Sequence, residues 1–313
     1  MKYLVTGGAG FIGSHLVSTL LEKGADVRVL DNFSTGKREN LAGLSQHFDE
    51  SRLEILEGDV RHASVLDESV RGVDIIFHEA AFVSVPESME KPADCFDVNV
   101  AATVALFDAA RAASVQRVVI ASSAAVYGES ETMPLQETEP TQSLSPYAAS
   151  KRTDEIYAQL YTQAFGLDVV ALRYFNVYGP RQRPDSMYAA AVPIFVRRLL
   201  DGKPVTIFGD GGQTRDLINV RDVVRANLIA SEHPNAPGRV FNVCTGIETR
   251  LLDLIDVLYR LFPDAPQPTF EAPRAGDIYR SVGSPIFTKA TIGFEAQVSL
   301  EEGLEETVTW MKA

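Results

Sequence analysis

Cysteine is scarce in this sequence: the 313 residues include two, Cys95 and Cys244, and neither sits in a Cys-x-x-Cys pair. Two thiols so far apart give no disulfide framework and no zinc-ligand spacing, so no metal site is expected. Both read as small buried hydrophobes in a reducing cytoplasm. Positive charge is short as well, with Lys+Arg 29 against Asp+Glu 42 and a net charge of −13. Nucleic acid and anionic membrane surfaces demand a basic face, so both are disfavoured as partners. A small phosphorylated ligand is not, because a few arginines and a helix N-terminus can hold one. Long apolar runs are also missing. None is long enough to cross a bilayer, and the opening KYLVT runs straight into glycines, unlike a signal peptide. With no repeats or low-complexity tracts, the chain reads as a globular cytoplasmic protein with volume for one large domain or two modest ones.

What is present is a rhythm. Short apolar runs stand at 2–6, 26–30, 53–56, 74–78, 117–121 and 168–175, and helical patterns fill the gaps at 11–23, about 64–71, 94–113 and 146–165. Strands that are apolar on both faces and alternate with helices imply a parallel sheet covered on each side, and right-handed crossovers make it doubly wound. After Phe175 the rhythm breaks at Pro180, Pro184, Pro193 and Pro204. It resumes with LINV and RVFNV between 216 and 244, then leaves for a region marked by Pro263, Pro266, Pro268 and Pro273. The fold class expected is α/β: a doubly wound, Rossmann-type parallel sheet with a smaller, loop-rich C-terminal substrate domain. The expected division is 1–175 plus 216–244 for a cofactor domain and 176–215 plus 245–313 for the smaller one.

Gly7, Gly10 and Gly13 lie directly after the first apolar run and open the first helix. A tight turn, close approach of backbone to a pyrophosphate, and tight helix–strand packing each need glycine at such positions. Asp31 ends the second run, at about the distance (~20 residues) where an acidic residue takes the adenosine ribose. Asn32 and Phe33 follow it rather than an arginine, so NAD is favoured over NADP, although Lys37 and Arg38 come soon after.

Ser145-Pro146-Tyr147-Ala148-Ala149-Ser150-Lys151 starts the helical pattern at 146. Ser145 can cap and Pro146 suits the first helical position. Tyr147 and Lys151 then stand at i and i+4 on one face. A tyrosine is a poor base at neutral pH, and a neighbouring ammonium together with the positive nicotinamide ring favours its phenolate. That is what a general base for a sugar hydroxyl requires. Ser123, at the end of RVVIASS, is placed to share that proton; Ser122 reads as a brace.

The G-x-x-G-x-x-G spacing resembles the short-chain dehydrogenase/reductase superfamily. RYFNVYGPRQRP (173–184), FGDGGQTRDLINVRDV (208–223) and RAGDIYRS (274–281) narrow the resemblance to its extended members, the nucleotide-sugar epimerases and dehydratases. The resemblance implies that Phe11, Ile12, Asn32, Asp59, Val60, Ala80, Asn99 and Tyr174 join the glycine loop, Asp31, Tyr147 and Lys151 in holding NAD. It implies that Ser123, Tyr147, Asn176, Arg215, Arg274 and Ser281 contact a UDP-sugar, as in UDP-galactose 4-epimerases. His62 departs from the aspartate common at that place. His78, in a motif like the family's H-x-A-A, is given no chemistry, and Arg181, Arg183 and Arg221 fit a solvated surface as well as a ligand. Family members dimerise through the tyrosine helix and a neighbour, so the stretches 94–113 and 147–165 are expected to form a homodimer.

Relatives that eliminate water carry acidic residues in the serine strand, where this chain has Ala124 and Ala125. The simpler reaction follows: Tyr147 removes the 4-hydroxyl proton, hydride passes to NAD, the 4-keto sugar turns over, and hydride returns to its other face. The small Ser281 suggests that UDP-GlcNAc/GalNAc is accepted beside UDP-glucose/galactose. UDP-glucuronate 4-epimerases share the arginine-rich turn after Gly179. A non-catalytic NAD-binding module would carry a damaged Ser/Tyr/Lys set, and a net oxidoreductase would release NADH.

Overall fold

The computed structural model describes residues 1–44, 49–184, 191–273 and 278–312. Each early apolar run forms a strand: β1 (Lys2–Thr6), β2 (Asp26–Asp31), β3 (Leu53–Glu57), β4 (Ile75–His78), β5 (Arg117–Ser123) and β6 (Asp168–Tyr174). Four short strands follow, β7 (Asn176–Tyr178), β8 (Thr206–Phe208), β9 (Thr214–Arg215) and β10 (Leu217–Asn219), and then β11 (Val240–Val243). Strands β1 to β6 and β11 make one seven-stranded sheet in the order β11-β6-β5-β4-β1-β2-β3, every pair parallel. The order reverses between β1 and β4, which is where ligands of doubly wound sheets bind.

Nine helices of the described residues connect these strands or lie among them up to residue 232: α1 (Phe11–Glu22), α2 (Glu39–Ala42), α3 (Ala63–Ser69), α4 (Val85–Glu90), α5 (Pro92–Phe96), α6 (Ala102–Ala112), α7 (Pro146–Phe165), α8 (Ala191–Leu200) and α9 (Val220–Glu232). Period-two alternation sends Tyr3, Val5, Val119 and Ala121 to one face, where α1 and α9 cover them with Leu16, Leu20, Val223 and Ala230. Leu4, Val118 and Ile120 go to the other face, under Leu66 of α3, Phe107 of α6 and Tyr161 of α7. The sheet is not covered on both sides throughout. Ile55 of β3 is 45% exposed, because β3 is an edge strand and the connection after β2 supplies only the four-residue α2.

Helix α7 is held to the sheet by charge. Glu155 is fully buried and receives both guanidinium arms of Arg173 on β6, at 2.7 and 2.8 Å, with the Ser122 hydroxyl at 2.6 Å and Arg152 at 2.9 Å. The Arg173 guanidinium also lies 4.6 Å from the centre of the Tyr127 ring. No helix among the described residues is long and apolar enough to cross a membrane.

Past β11 come β12 (Thr249–Arg250), α10 (Leu251–Leu261), β13 (Thr269–Glu271), β14 (Arg280–Ser281), α11 (Ile286–Ile292) and α12 (Leu300–Lys312). Leu254 and Leu258 of α10, Leu304 and Val308 of α12, and Phe195 of α8 build a third core away from the sheet. Asp216, fully buried, gathers this part of the chain: it accepts from the Thr245 amide and hydroxyl, the Gly246 amide and the Gly283 amide, at 2.8 to 3.2 Å.

Candidate active site

The loop after β1 is built for close backbone approach. Gly7 has φ +68°, and a Cβ there would stand 2.7 Å from the Ala80 nitrogen. A Cβ on Gly13 would stand 2.2 Å from the Gly7 carbonyl oxygen. Gly10 is the N-cap of α1 and makes no side-chain cap, and the first turn carries no acidic residue. The first amides of α1 are therefore left for an anion, so the loop fits a dinucleotide diphosphate. Phe11 sets its ring edge-on to His15, and Ile12 packs into the core under α1.

Asp31 stands at the C-terminal end of β2, where its carboxylate accepts the Ala9 amide at 2.9 Å and the Phe33 amide at 2.8 Å. Burial pushes that carboxyl up, and the two amides pull it back. Asn32 donates to Asp59 at 2.9 Å, and Arg61 closes on Asp59 with two guanidinium bonds that hold its carboxyl far below the usual range. Val60 is buried beside them. Arg38 lies over the Phe33 ring, 3.9 Å from its centre, and pairs with Glu57, so this cation is already engaged. Ala80 donates its amide to Thr6. His62 occupies the N-cap of α3 without making the capping bond an aspartate there could make.

Tyr147 and Lys151 stand on α7, which begins as its first residues require: Ser145 accepts the Ala148 amide at 3.1 Å, and Pro146 takes the first turn. The Tyr147 amide is fixed by the Ser88 hydroxyl at 3.2 Å. The helix packs on β5, β6 and the 3₁₀ turn Ala124–Tyr127, which Ser123 caps by accepting the Ala125 amide. Ser122 points the other way, to Glu155, as a brace. Lys151 is buried, its ammonium 3.6 Å from Asp154. Asn99 lies in a π-helical turn, Asp97–Ala101, between α5 and α6. Its side chain clamps the Phe82 amide at 2.7 Å and carbonyl at 3.2 Å, and reaches Ser150 on α7 at 2.9 Å, which makes it a support for the loop beside the site. His78 is satisfied between Thr6 and Thr103, and burial lowers it to about 3, a neutral strand-end histidine.

A cleft of about 250 Å³ is lined by Ser123, Ala124, Ala125, Tyr174, Phe175, Asn176, Arg215, Ile278 and Ser281. It brings together five residues expected at the site. Arg215 and Ser281 are cross-strand partners on β9 and β14, and Asn176 opens β7, held by its amide to the Asp216 carbonyl. No carboxylate is among the described lining residues, and Tyr147 and Lys151 are not among them either. Tyr174 turns its hydroxyl away to Glu79 at 2.7 Å and Asn227 at 2.8 Å, so its hydroxyl serves the wall of the site. Arg274 lies outside the described residues. Of the other arginines, Arg181 ties its loop to α1 through the Ser14 carbonyl and Ser18 hydroxyl, Arg183 donates to the Thr35 carbonyl, and Arg221 pairs with Glu302 and Glu306 at the surface.

Four buried carboxyls, Asp154, Glu155, Asp216 and Asp222, and the half-buried Glu79 were not anticipated. Glu79 was visible only as the variable position of its H-x-A-A-like motif. Asp154 and Glu155 carried a usable signal, since they follow Lys151 at i+3 and i+4 and so turn inward with it.

Comparison with known proteins agrees with this fold. The model of the NAD dependent epimerase/dehydratase family matches residues 3–244. The UDP-glucose 4-epimerase of Mycolicibacterium smegmatis is 40% identical over 315 residues, covering 100% of this chain and 99% of that protein. Among solved structures, a UDP-glucose 4-epimerase from Thermotoga maritima with UDP-glucose superposes with a TM-score of 0.93 at 37% identity, covering 100% of this chain and 99% of its own. A UDP-N-acetylglucosamine 4-epimerase from Methanobrevibacter ruminantium, in complex with UDP-N-acetylmuramic acid, gives 0.94 at 37% identity, covering 99% and 98%.

Proposed function

The chain belongs to the NAD-dependent epimerase/dehydratase family, and from that premise we propose that it interconverts UDP-hexoses at C4 through a 4-keto intermediate. It is an NAD-dependent isomerase of the UDP-sugar 4-epimerase kind. One observation carries the choice of reaction: Ala124 and Ala125 line the cleft directly after Ser123, where relatives that eliminate water carry acidic residues. A leaving hydroxyl would find no acid at those two positions to protonate it. Bound NAD supplies the acceptor for hydride and later the donor. The chain's residues do the rest. Tyr147 takes the 4-hydroxyl proton and gives it back, Ser123 relays across the same oxygen, and Lys151 steadies the phenolate. Asn176, Arg215 and Arg274 hold the nucleotide diphosphate and sugar, the arginines as planar donors.

The glycine loop, Phe11, Ile12, Asp31, Asn32, Asp59, Val60, Ala80, Asn99 and Tyr174 make up the cofactor side. We assign 1–175 with 216–244 to the cofactor part and 176–215 with 245–313 to the sugar part. The return of β11 to the main sheet and the separate third core support that division. Incubation of the purified protein with a panel of UDP-sugars, followed by separation of epimers, tests the reaction. Retained cofactor with no net NADH release is expected, and steady NADH release would overturn it. In the arginine-rich turn, Arg181 donates to α1.

Ser281 is our candidate for discriminating the sugar 2-substituent. Ser281→Tyr is expected to abolish turnover of the UDP-GlcNAc/GalNAc pair while retaining most turnover of the glucose/galactose pair. Equal losses on both pairs would remove Ser281 from that role. We also propose a homodimer in the reducing cytoplasm. Ile156 and Leu160 on the outer face of α7 are 49% and 44% exposed, and Phe96 on α5 is 55% exposed; α7 already covers the sheet with its inner face, and α5 packs against α7. Leu160→Glu is expected to shift the protein from dimer to monomer in light scattering. A wild-type protein that runs as a monomer would end the proposal.

A further inference from the structure

Helix α7 carries a second ionisable residue beside its lysine that the reaction above does not use. Asp154 has a side chain only 3% exposed, with Oδ2 3.6 Å from the Lys151 ammonium, itself 5% exposed. Among the described residues Lys151 is its one ion-pair partner. We propose that Asp154 is a positioning residue that divides the charge of Lys151 and thereby sets the pH at which Tyr147 becomes a base. The proposal rests on the reading of Tyr147 and Lys151 as the catalytic pair.

The physical argument is one of competition. An ammonium that faces one phenolate stabilises it more than an ammonium shared with a carboxylate. Enclosure sharpens the competition, because water does not screen a pair that is this buried. Among the described residues, the surrounding groups leave Lys151 as the one cation paired with Asp154. On α7, Glu155 adds negative charge, but it is committed to Arg173 of β6, to Arg152 and to Ser122 of β5. From β4 come His78, held between two threonines, and then Glu79, held by Tyr174 of β6. From α5 comes Cys95, whose thiol touches Ser150. Burial pushes the Asp154 carboxyl up to about 7, Lys151 pulls against that rise, and Glu155 adds to it. When ionised, Asp154 takes a share of the lysine's field that would otherwise fall on Tyr147.

Asp154→Asn keeps the shape and removes the charge. With NAD-loaded enzyme, the acid limb of kcat and of kcat/KM is expected to move to lower pH by about half a unit or more, a roughly threefold gain on that limb, with KM within about twofold. The phenolate absorbance of Tyr147, read as the difference from Tyr147→Phe, is expected to shift in the same direction. Asp154→Ala, which favours the helix, is the second variant and is expected to behave alike. Limbs that superimpose on wild type, or that move to higher pH, overturn the proposal. The two readings separate cleanly. An active Tyr147→Phe overturns the catalytic pair and this proposal with it, whereas an inactive Tyr147→Phe beside an unmoved Asp154→Asn limb overturns the role of Asp154 alone.

Discussion

Tyr147→Phe is expected to lower kcat by about 10³-fold while the protein stays folded and keeps its NAD, because removing a general acid–base typically costs 10²–10⁴-fold. The fold has little reason to object. Tyr147 sits in the first turn of α7, where its backbone amide is fixed by Ser88, and phenylalanine leaves that amide and the ring in place. The loss should fall on kcat far more than on KM, since the hydroxyl acts on a proton that moves in the transition state. Turnover of UDP-glucose in the variant, with cofactor content measured on the same sample, decides the matter. A loss under about tenfold would remove Tyr147 from the role of base.

The second large effect is on stability. Arg173→Met is expected to destabilise the protein by about 3–5 kcal/mol, the usual cost of stranding one member of a buried ion pair. Glu155 would keep Ser122 and Arg152, but Arg152 is partly exposed, and the bidentate partner inside the protein would be gone. The Tyr127 ring would lose its cation and Glu137 a donor to its carbonyl. The double variant Arg173→Met with Glu155→Leu should recover most of the loss, because no charge is then left buried. Urea unfolding of wild type, single and double variants gives the comparison. A single variant within about 1 kcal/mol of wild type would show that the pair is not what anchors α7.

Much of this was legible in the sequence, for local reasons. Gly7, Gly10 and Gly13 announce a loop whose conformation is set within a few residues, and the caps Ser145 and Pro146 fix where α7 starts. The strands could be read because a doubly covered sheet demands continuous apolar runs. The edge strand β3 broke that rule at Ile55, and nothing local marked it as an edge. Contacts between distant residues were harder to see. Asp216 meets Thr245 and Gly283, and Glu79 meets Tyr174, across separations that no short pattern reports. Asn99 was found through its family position, but its place in a π-helical turn, with Phe82 on one side and Ser150 on the other, belongs to packing. Asp154 and Glu155 resemble a solvated face when counted as charges, and only the inward turn of Lys151 tells otherwise.

The strand order also sets a timetable. β6 has a neighbour on one side as soon as β5 exists, but its other neighbour, β11, is encoded after the whole stretch 175–239. At translation speeds of about 5–20 residues per second, the ribosome needs several seconds to make that stretch. For that time the nascent chain holds most of its sheet and the complete helix α7, yet presents an unpaired, apolar strand edge to the crowded interior of the cell. Leu172, Ala171 and Val170, fully buried at the end of synthesis, are then at a margin that another chain could join. The interval from residue 174 to residue 243 is thus when this protein most needs shelter, and a slow codon placed there would prolong the exposure rather than assist folding.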